Sequence, residues 1–483
     1  MIKRTRREFL EDSMFAAAAA SVAGASTQVF AEDKQSTSPN EKLSVAVVGV
    51  RGRGNSHINA FAGRKDTEIT YVCDVDEGVG EGRASQIAKR QRKPKFEKDV
   101  RKVLEDKSVD IVTVATPNHW HSLIAIWAMQ AGKDVYLEKP VSHNVSEGRR
   151  AVEAARKYKR ICQTGTQSRS NPGMQAAIKY VHDEKIGKLQ VARGLCYKRR
   201  GSIGPKGKYD LPKGLDYNLW CGPAPMVPLT RPRLHYDWHW IWATGNGDLG
   251  NQGIHQMDIA RWGLNIDQLS NAVISYGGRF GYEDAGETAN TQVVVHDFGD
   301  RSLVFEVRGL PTGAYKGAKI GVMFEGSDGF VVIPSYAGGV AFDKDGKKVA
   351  TFSGGGNHFA NFLKAVRSRN PKDLNADILE GHLSSALCHM GNISLWRGVQ
   401  ANGAEALERM KTVKTVENVV ATYERTAAHL AANKLSLDKT KLTLGKLLAF
   451  DPKSETFKDD SAADLLLTRE YRKPFVVPGK GEV

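Results

Sequence analysis

The chain has 483 residues, 41% hydrophobic and 25% charged, with 48 Gly, 17 Pro, five Cys and a formal net charge of +15. An ordinary apolar fraction and few cysteines exclude disordered, collagen-like and disulfide-scaffold classes, and the length suits two or three domains with cores of their own. The positive charge raises a polyanion as partner, but the basic residues are mixed with acids along expected helices such as Arg83–Lys107 and Arg149–Arg160, and no nucleic-acid module accompanies them, so solvated faces and no nucleic acid are expected.

Residues 1–31 read as an address. Thr5-Arg6-Arg7-Glu8-Phe9-Leu10 is a twin-arginine pattern, an Ala-rich apolar run covers about 14–25, and Val29-Phe30-Ala31 places a small residue at a cleavage position. This resembles a bacterial Tat leader, which implies the Tat export machinery as a partner and a periplasmic location. The apolar run falls short of the roughly 20 residues of a stable span, so no membrane span is expected in the mature form. Residues 32–41 read as a linker. The cysteines, Cys73, Cys162, Cys196, Cys221 and Cys388, show no CxxC spacing, so no metal site is expected; in an oxidising compartment most should be buried.

A dinucleotide-binding domain is expected over 42–167. Leu43 to Val48 is an uncharged, β-branched strand that runs into Gly49-Val50-Arg51-Gly52-Arg53-Gly54. A helix follows from about His57, then a strand from Glu68 to Cys73 that ends at Asp74. Strand, glycine turn, helix, strand and acid form the layout of a dinucleotide fingerprint. Glycines let backbone N–H groups approach a pyrophosphate at a helix N-terminus, and the acid accepts hydrogen bonds from a ribose diol. Gly49 and Gly54 fit the first and third glycines, while Arg51 stands at the middle one and Gly52 sits one place late. Asp74 favours NAD by repelling a 2′-phosphate; Arg51 and Arg53 leave NADP open. Further strands at 109–115, 135–137 and 161–164 alternate with helices from about Ser122 to Gln130 and Ser146 to Lys159, which implies a parallel sheet. The carboxyl ends of its strands carry Asp74, Thr116, Asn118, His119, Glu138, Lys139 and Gln167.

From 168 to 483 the pattern becomes α+β. Alternating runs at 189–197, 291–296, 302–307, 320–325 and 329–333 are expected antiparallel strands. Helices are expected at about 249–264, with Asp248 as N-cap, and at 358–369 and 380–396; 403–434 reads as a helical insertion. Spacing of four puts Asn251 and His255 on one helix face. A neutral His accepts a hydroxyl proton at neutral pH. Asp258 is expected either to orient His255 or to pair with Arg261. Trp238-His239-Trp240-Ile241-Trp242 alternates as a half-buried strand does, and its tryptophans also suit a sugar's C–H face. His121 and Arg169 are further candidates for holding substrate.

Together, the turn 49–54, Asp74, Thr116-Pro117-Asn118-His119-Trp120-His121, Glu138-Lys139-Pro140 and Gly247 to Asp258 resemble the Gfo/Idh/MocA oxidoreductases over about 42–400. Leu466 to Pro474 is similar to a Tat-exported bacterial branch of them. The resemblance implies a Rossmann domain followed by an α+β domain with a large open, mainly antiparallel sheet that often mediates homo-oligomers, dimers or tetramers. It implies NAD or NADP, held tightly, and a sugar, polyol or keto-sugar substrate. It implies that Lys139 reaches nicotinamide and reacting hydroxyl, and that His255 and the residue four before it lie near the reacting carbon. That residue is Asn251 where the family has Asp, and Asn takes no proton. Glycoside cleavage by transient oxidation with bound NAD, and a carbohydrate-binding protein without catalysis, are the alternatives.

Overall fold

The computed structural model describes residues 42–483, so the leader and most of the linker lie outside the described residues. The first sheet is built from β1 (Leu43–Val48), β2 (Thr67–Cys73), β3 (Lys95–Glu97), β4 (Ile111–Val114), β5 (Asp134–Leu137) and β6 (Cys162–Thr164) in the order β3-β2-β1-β4-β5-β6, with every pair parallel. This is a Rossmann order, which reverses between β1 and β4 and opens a crevice at their carboxyl ends. Helices α1 (Gly54–Ala62), α2 (Glu77–Ile87), α3 (Val100–Glu105), α4 (Asn118–Gln130) and α5 (Val145–Lys157) connect the strands. The central strands are buried on both faces, which is why they read as unbroken apolar runs. Side chains of Asp76 and Asn144 cap α2 and α5 by accepting from Val79 and Glu147 amides.

After α6 (Pro172–His182) and β7 (Leu189–Cys196) come two short consecutive helices, α7 (Gly247–Asn251) and α8 (Gly253–Gly263), where one was expected. Asp248 does not cap them; its carboxylate holds Arg200 through two hydrogen bonds of 2.7 and 2.5 Å. Then follow β8 (Ala272–Gly278), β9 (Thr291–Asp297), β10 (Ser302–Arg308), β11 (Ile320–Gly326), β12 (Gly329–Ile333), β13 (Gly339–Asp343), β14 (Lys348–Phe352), α9 (His358–Ser368), α10 (Ile378–Trp396), β15 (Val399–Ala401), α11 (Gly403–Thr412), α12 (Val419–Ala432), β16 (Leu442–Leu444), β17 (Leu448–Asp451) and β18 (Thr456–Phe457). The second sheet has 12 strands, in the order β14-β13-β12-β11-β7-β10-β9-β8-β16-β15 with β17 on β8 and β18 on β17. It is antiparallel except where β10 lies parallel to β7.

One face of this sheet buries Val322, Phe324, Leu303 and Phe305 against Ile254, Met257 and Ile259 of α8 and Leu383 and Leu387 of α10. The sheet is open, as expected, and its other face is covered by α11 and α12. Met410, Val419, Tyr423 and Leu430 cover Ile274, Tyr276, Val293, Val295 and Val304. Buried Arg193 of β7 anchors this cover, reaching Glu306 and, on the insertion, Glu417, each at 2.9 Å. The two halves are interlocked: Phe359, Phe362 and Leu363 of α9 pack on the Rossmann sheet, and Phe475, Val477 and Val483 near the C-terminus pack beside α4. All five cysteines are free and buried. Among the described residues no helix is long and apolar enough to cross a membrane.

Candidate active site

A cleft of about 720 Å³ runs from the ends of β1 and β2 to α7 and α8. Its size suits a cofactor-binding site. It begins at the glycine turn. Gly49 has φ +80°, a conformation that favours glycine, and a Cβ at Gly54 would collide with the Gly49 carbonyl. Gly52 faces open space, so a phosphate can approach its backbone. Asp74, buried at the end of β2, accepts from the amides of Val50 (2.8 Å) and Asp76 (3.0 Å). Burial raises its pKa, and these two hydrogen bonds oppose the rise. An open glycine cradle ending on a carboxylate fits an adenosine ribose and pyrophosphate, and the carboxylate disfavours a 2′-phosphate.

Glu138 and Lys139, at the end of β5, stand mid-cleft. Glu138 accepts from Arg53 Nε (2.6 Å), from His57 (3.1 Å) and from the Lys139 amide (3.3 Å). Burial raises the Glu138 pKa, but the His57 hydrogen bond and the Arg53 charge outweigh it and hold the carboxyl well below its usual range. The glycine turn is thereby tied to the strand that carries the lysine. Lys139 Nζ donates to the backbone carbonyl of Asn251 at 2.8 Å. Burial lowers its pKa to about 8 against the opposing pull of Glu138. An amine in that range exchanges a proton near neutral pH.

His255 lies one turn beyond Asn251, and both line the same end of the cleft. Burial and then the Lys139 charge push its pKa well below the ordinary value, so the ring is neutral. It packs edge-on to Tyr336, with centroids 5.0 Å apart, and its Nδ1 is buried without a partner. Asn251 offers Lys139 a main-chain oxygen, which any residue there would supply.

Of the residues singled out from sequence, the cleft brings together Gly49, Arg51, Gly52, Arg53, Asp74, Thr116, Asn118, His121, Glu138, Lys139, Trp238, Asn251 and His255. Gly54 stands behind it, shaping the turn. His119 is turned away: its ring meets the carbonyls of Trp220 (2.9 Å) and Thr244 (3.4 Å), and burial lowers its pKa to about 3. His121 is clamped between the carbonyls of Thr116 (2.8 Å) and Pro140 (2.5 Å), so it braces the wall. Arg169 and Asp258 do not reach the cleft because they hold each other, with Arg169 Nε 2.8 Å from Asp258 and Glu380 2.9 Å from the same guanidinium. Asp258 therefore orients neither His255 nor a substrate; Arg261 is 3.9 Å from it and contacts Glu380 instead. The tryptophan run forms a 3-10 turn, Asp237–Trp240, in place of the expected strand. Trp240 is buried beneath Arg200, while Trp238 stacks on His239 with centroids 3.6 Å apart and lines the cleft.

Sequence reasoning missed Arg233, His235 and Tyr236 on the cleft wall. Only their nearness to the tryptophan run pointed to them. Tyr236 has φ +65° and the Asp237 amide bonds back to the His235 carbonyl (2.8 Å), a tight turn that directs its ring to the cleft mouth. Among the described residues no group of three His, Cys, Asp or Glu is placed to hold a metal ion.

This fold and cleft define a Rossmann oxidoreductase class. Two family models match: "Oxidoreductase family, NAD-binding Rossmann fold" over residues 43–166 and "Oxidoreductase family, C-terminal alpha/beta domain" over 205–406. The chain belongs to the Gfo/Idh/MocA oxidoreductase family, and residues 43–166 are that family's NAD-binding domain. It is 26% identical over 239 residues to levoglucosan dehydrogenase of Pseudarthrobacter phenanthrenivorans, covering 49% of this chain and 54% of that one. It is 30% identical over 127 residues to α-N-acetylgalactosaminidase of Shewanella oneidensis, covering 25% and 28%. The chain thus spans about half the length of the first relative and about a quarter of the second. Among solved structures, WlbA dehydrogenase of Bordetella pertussis, in complex with NADH and UDP-GlcNAcA, shares the fold with a TM-score of 0.55 at 19% identity, over 73% of this chain and 95% of that one. Aldose-aldose oxidoreductase of Caulobacter crescentus does so with 0.55 at 17% identity, over 73% and 98%.

Proposed function

We propose that the protein is a nicotinamide-dependent oxidoreductase of a sugar or sugar derivative, with NAD as cofactor. The observation that carries this reading is the meeting of Lys139, from the Rossmann strand β5, with Asn251, one turn before His255, at the far end of a cleft that begins at Asp74. Bound in this cleft, NAD would supply the acceptor for the hydrogen and electron pair of a carbinol C–H bond. Lys139 and His255 hold the hydroxyl of that carbinol, and its proton passes to the neutral amine of Lys139 as the carbonyl forms. The cleft wall of Trp238 and Tyr236 offers aromatic faces to the sugar's C–H groups.

The relatives named as glycoside hydrolases support a second reading, in which the sugar is oxidised transiently and a glycosidic bond is broken with no net redox change. One experiment separates the two: the NAD-loaded protein is mixed with a panel of free sugars and aryl glycosides. Accumulation of reduced nicotinamide supports the oxidoreductase, aglycone release without it supports the second reading, and neither overturns both. Export by the Tat route to the periplasm is supported by the twin-arginine pattern of residues 5–10, and is tested by fusing residues 1–31 to a reporter in a strain lacking that route. Loss of transport in that strain is the expected result. Homo-oligomerisation is supported by family resemblance and is checked by light scattering.

A further inference from the structure

Two lysines stand at the substrate end of the cleft, Lys139 on its wall and Lys198 beside it, with no carboxylate bonded to either. Lys198 lies two residues past β7, half-buried, and its Nζ is 3.5 Å from Gln252 Oε1, its one polar partner among the described residues. That separation is longer than an ordinary hydrogen bond, and an ammonium has three donors to place. The Gln252 amide is oriented from its other side, where Nε2 donates to the Tyr336 hydroxyl, so Oε1 is left for the lysine. Lys139, from the other domain, ends on the carbonyl of Asn251. Two ammonium groups therefore converge on consecutive residues, 251 and 252, one turn before His255.

Neither meets a carboxylate. Glu138 is engaged by Arg53 and His57, and Asp248 by both ends of the Arg200 guanidinium. Position 251 is Asn. Arg169, a candidate from sequence for holding substrate, is neutralised by Asp258 and Glu380. The cofactor's pyrophosphate does not answer the lysines, because it belongs to the turn 49–54, which carries Arg51 and Arg53 of its own. Partly desolvated charges left without counter-ions are costly until an anion arrives.

We infer that the substrate is a sugar acid, a uronate-type sugar whose carboxylate is held by Lys198 beside Lys139. The inference rests on the oxidoreductase reading above and narrows it to a substrate class. The sugar's carboxylate displaces the weak Lys198–Gln252 contact, which places a neighbouring hydroxyl toward Lys139 and His255.

The test compares matched pairs, D-glucuronate with D-glucose and D-galacturonate with D-galactose, on the NAD-loaded full chain. Reduction of nicotinamide and calorimetric binding are both read. In one pair the acid is expected to have a kcat/KM roughly 10- to 100-fold above its neutral partner, the worth of a charge-assisted hydrogen bond. K198Q is expected to collapse that ratio toward one, and K198R to retain most of it, with NADH binding intact in both as evidence of folding. Neutral sugars that match their acids in the wild type, or a ratio unmoved in K198Q, overturn the inference and leave the oxidoreductase reading standing. If no member of either pair binds or reduces the cofactor, the inference for these sugars is overturned; failure of the wider panel above is what overturns the oxidoreductase reading itself.

Discussion

Each end of the cleft has a charged side chain held in the same manner, of opposite sign at the two ends. At one end Asp74 is held by two backbone amides, with no cation bonded to it. At the other, Lys139 is held by a carbonyl and Lys198, just behind it, by an amide oxygen, with no anion bonded to them. Several buried charges elsewhere come in closed sets: Arg169 with Asp258 and Glu380, Arg200 with Asp248, Arg193 with Glu306 and Glu417; Lys133 and Arg231, away from the reacting end, close only on carbonyls. Beside the reacting end of a cleft, that difference separates function from architecture. A charge satisfied by a charge has completed its work on folding, whereas one satisfied only by dipoles keeps its field for a ligand.

The comparison breaks most visibly at Lys139. Lys139→Ala is expected to lower kcat on the order of 10³-fold while NADH still binds, because it removes a proton-transfer group and leaves the glycine turn intact. Turnover near the wild-type level would show that the lysine is not part of the site. In the wild type, sugar oxidation should rise with pH and level off above about 8, where Lys139 loses its proton. The sign follows from the direction of transfer: oxidation needs a neutral acceptor, and burial makes the amine neutral earlier than in water.

At the opposite end, Asp74→Ala is expected to weaken NADH binding roughly tenfold, the worth of a hydrogen bond to a charged group, and to narrow the preference over NADPH. An unchanged preference would remove Asp74 from the ribose site. A smaller effect is expected from Asn251→Asp. Lys139 touches the backbone there, so the contact survives, while the added carboxylate raises the lysine's pKa and moves the pH inflection upward. A downward shift would contradict the arrangement. The smallest effect on chemistry is expected from Arg169→Met: KM for the sugar stays as it was, while the melting temperature falls, since breaking a buried charge set costs about 3–5 kcal/mol. A raised KM with an unchanged melting temperature would return Arg169 to the substrate site.

How much was legible in the sequence divides along the same line. The Rossmann sheet reads directly, because strands buried on both faces are apolar runs and its turn, acid and lysine are contiguous motifs. The short edge strand β3 breaks the helix expected over 83–107, and the strands β8, β13 and β14, like the short β15 to β18, do not stand out in the sequence. Lys95-Phe96-Glu97 is too short and too charged to stand out, and the glycines within or beside β8, β13 and β14 obscure their alternation. The insertion 403–434 reads as helical, but nothing in it reveals the sheet face it covers. Trp238 to Trp242 alternates like a strand over too few residues to decide against a turn. The pairing of Arg169 with Asp258 and the approach of Lys198 to Gln252 join residues 89 and 54 positions apart. Spacing cannot show such contacts, and they decide which charges are spent and which are free.

The central claim is that this one cleft holds a nicotinamide dinucleotide with its reactive end at Lys139. Trp120, Trp220 and Trp238 line the cleft, so NADH bound there accepts excitation energy from them. The most direct measurement is a titration of the protein with NADH, following tryptophan emission and its transfer to the nicotinamide. The account predicts a saturable transfer signal that Asp74→Ala shifts to higher NADH concentration and Lys139→Ala leaves in place. An absence of transfer at saturating NADH, in protein shown to be free of retained dinucleotide, would contradict it.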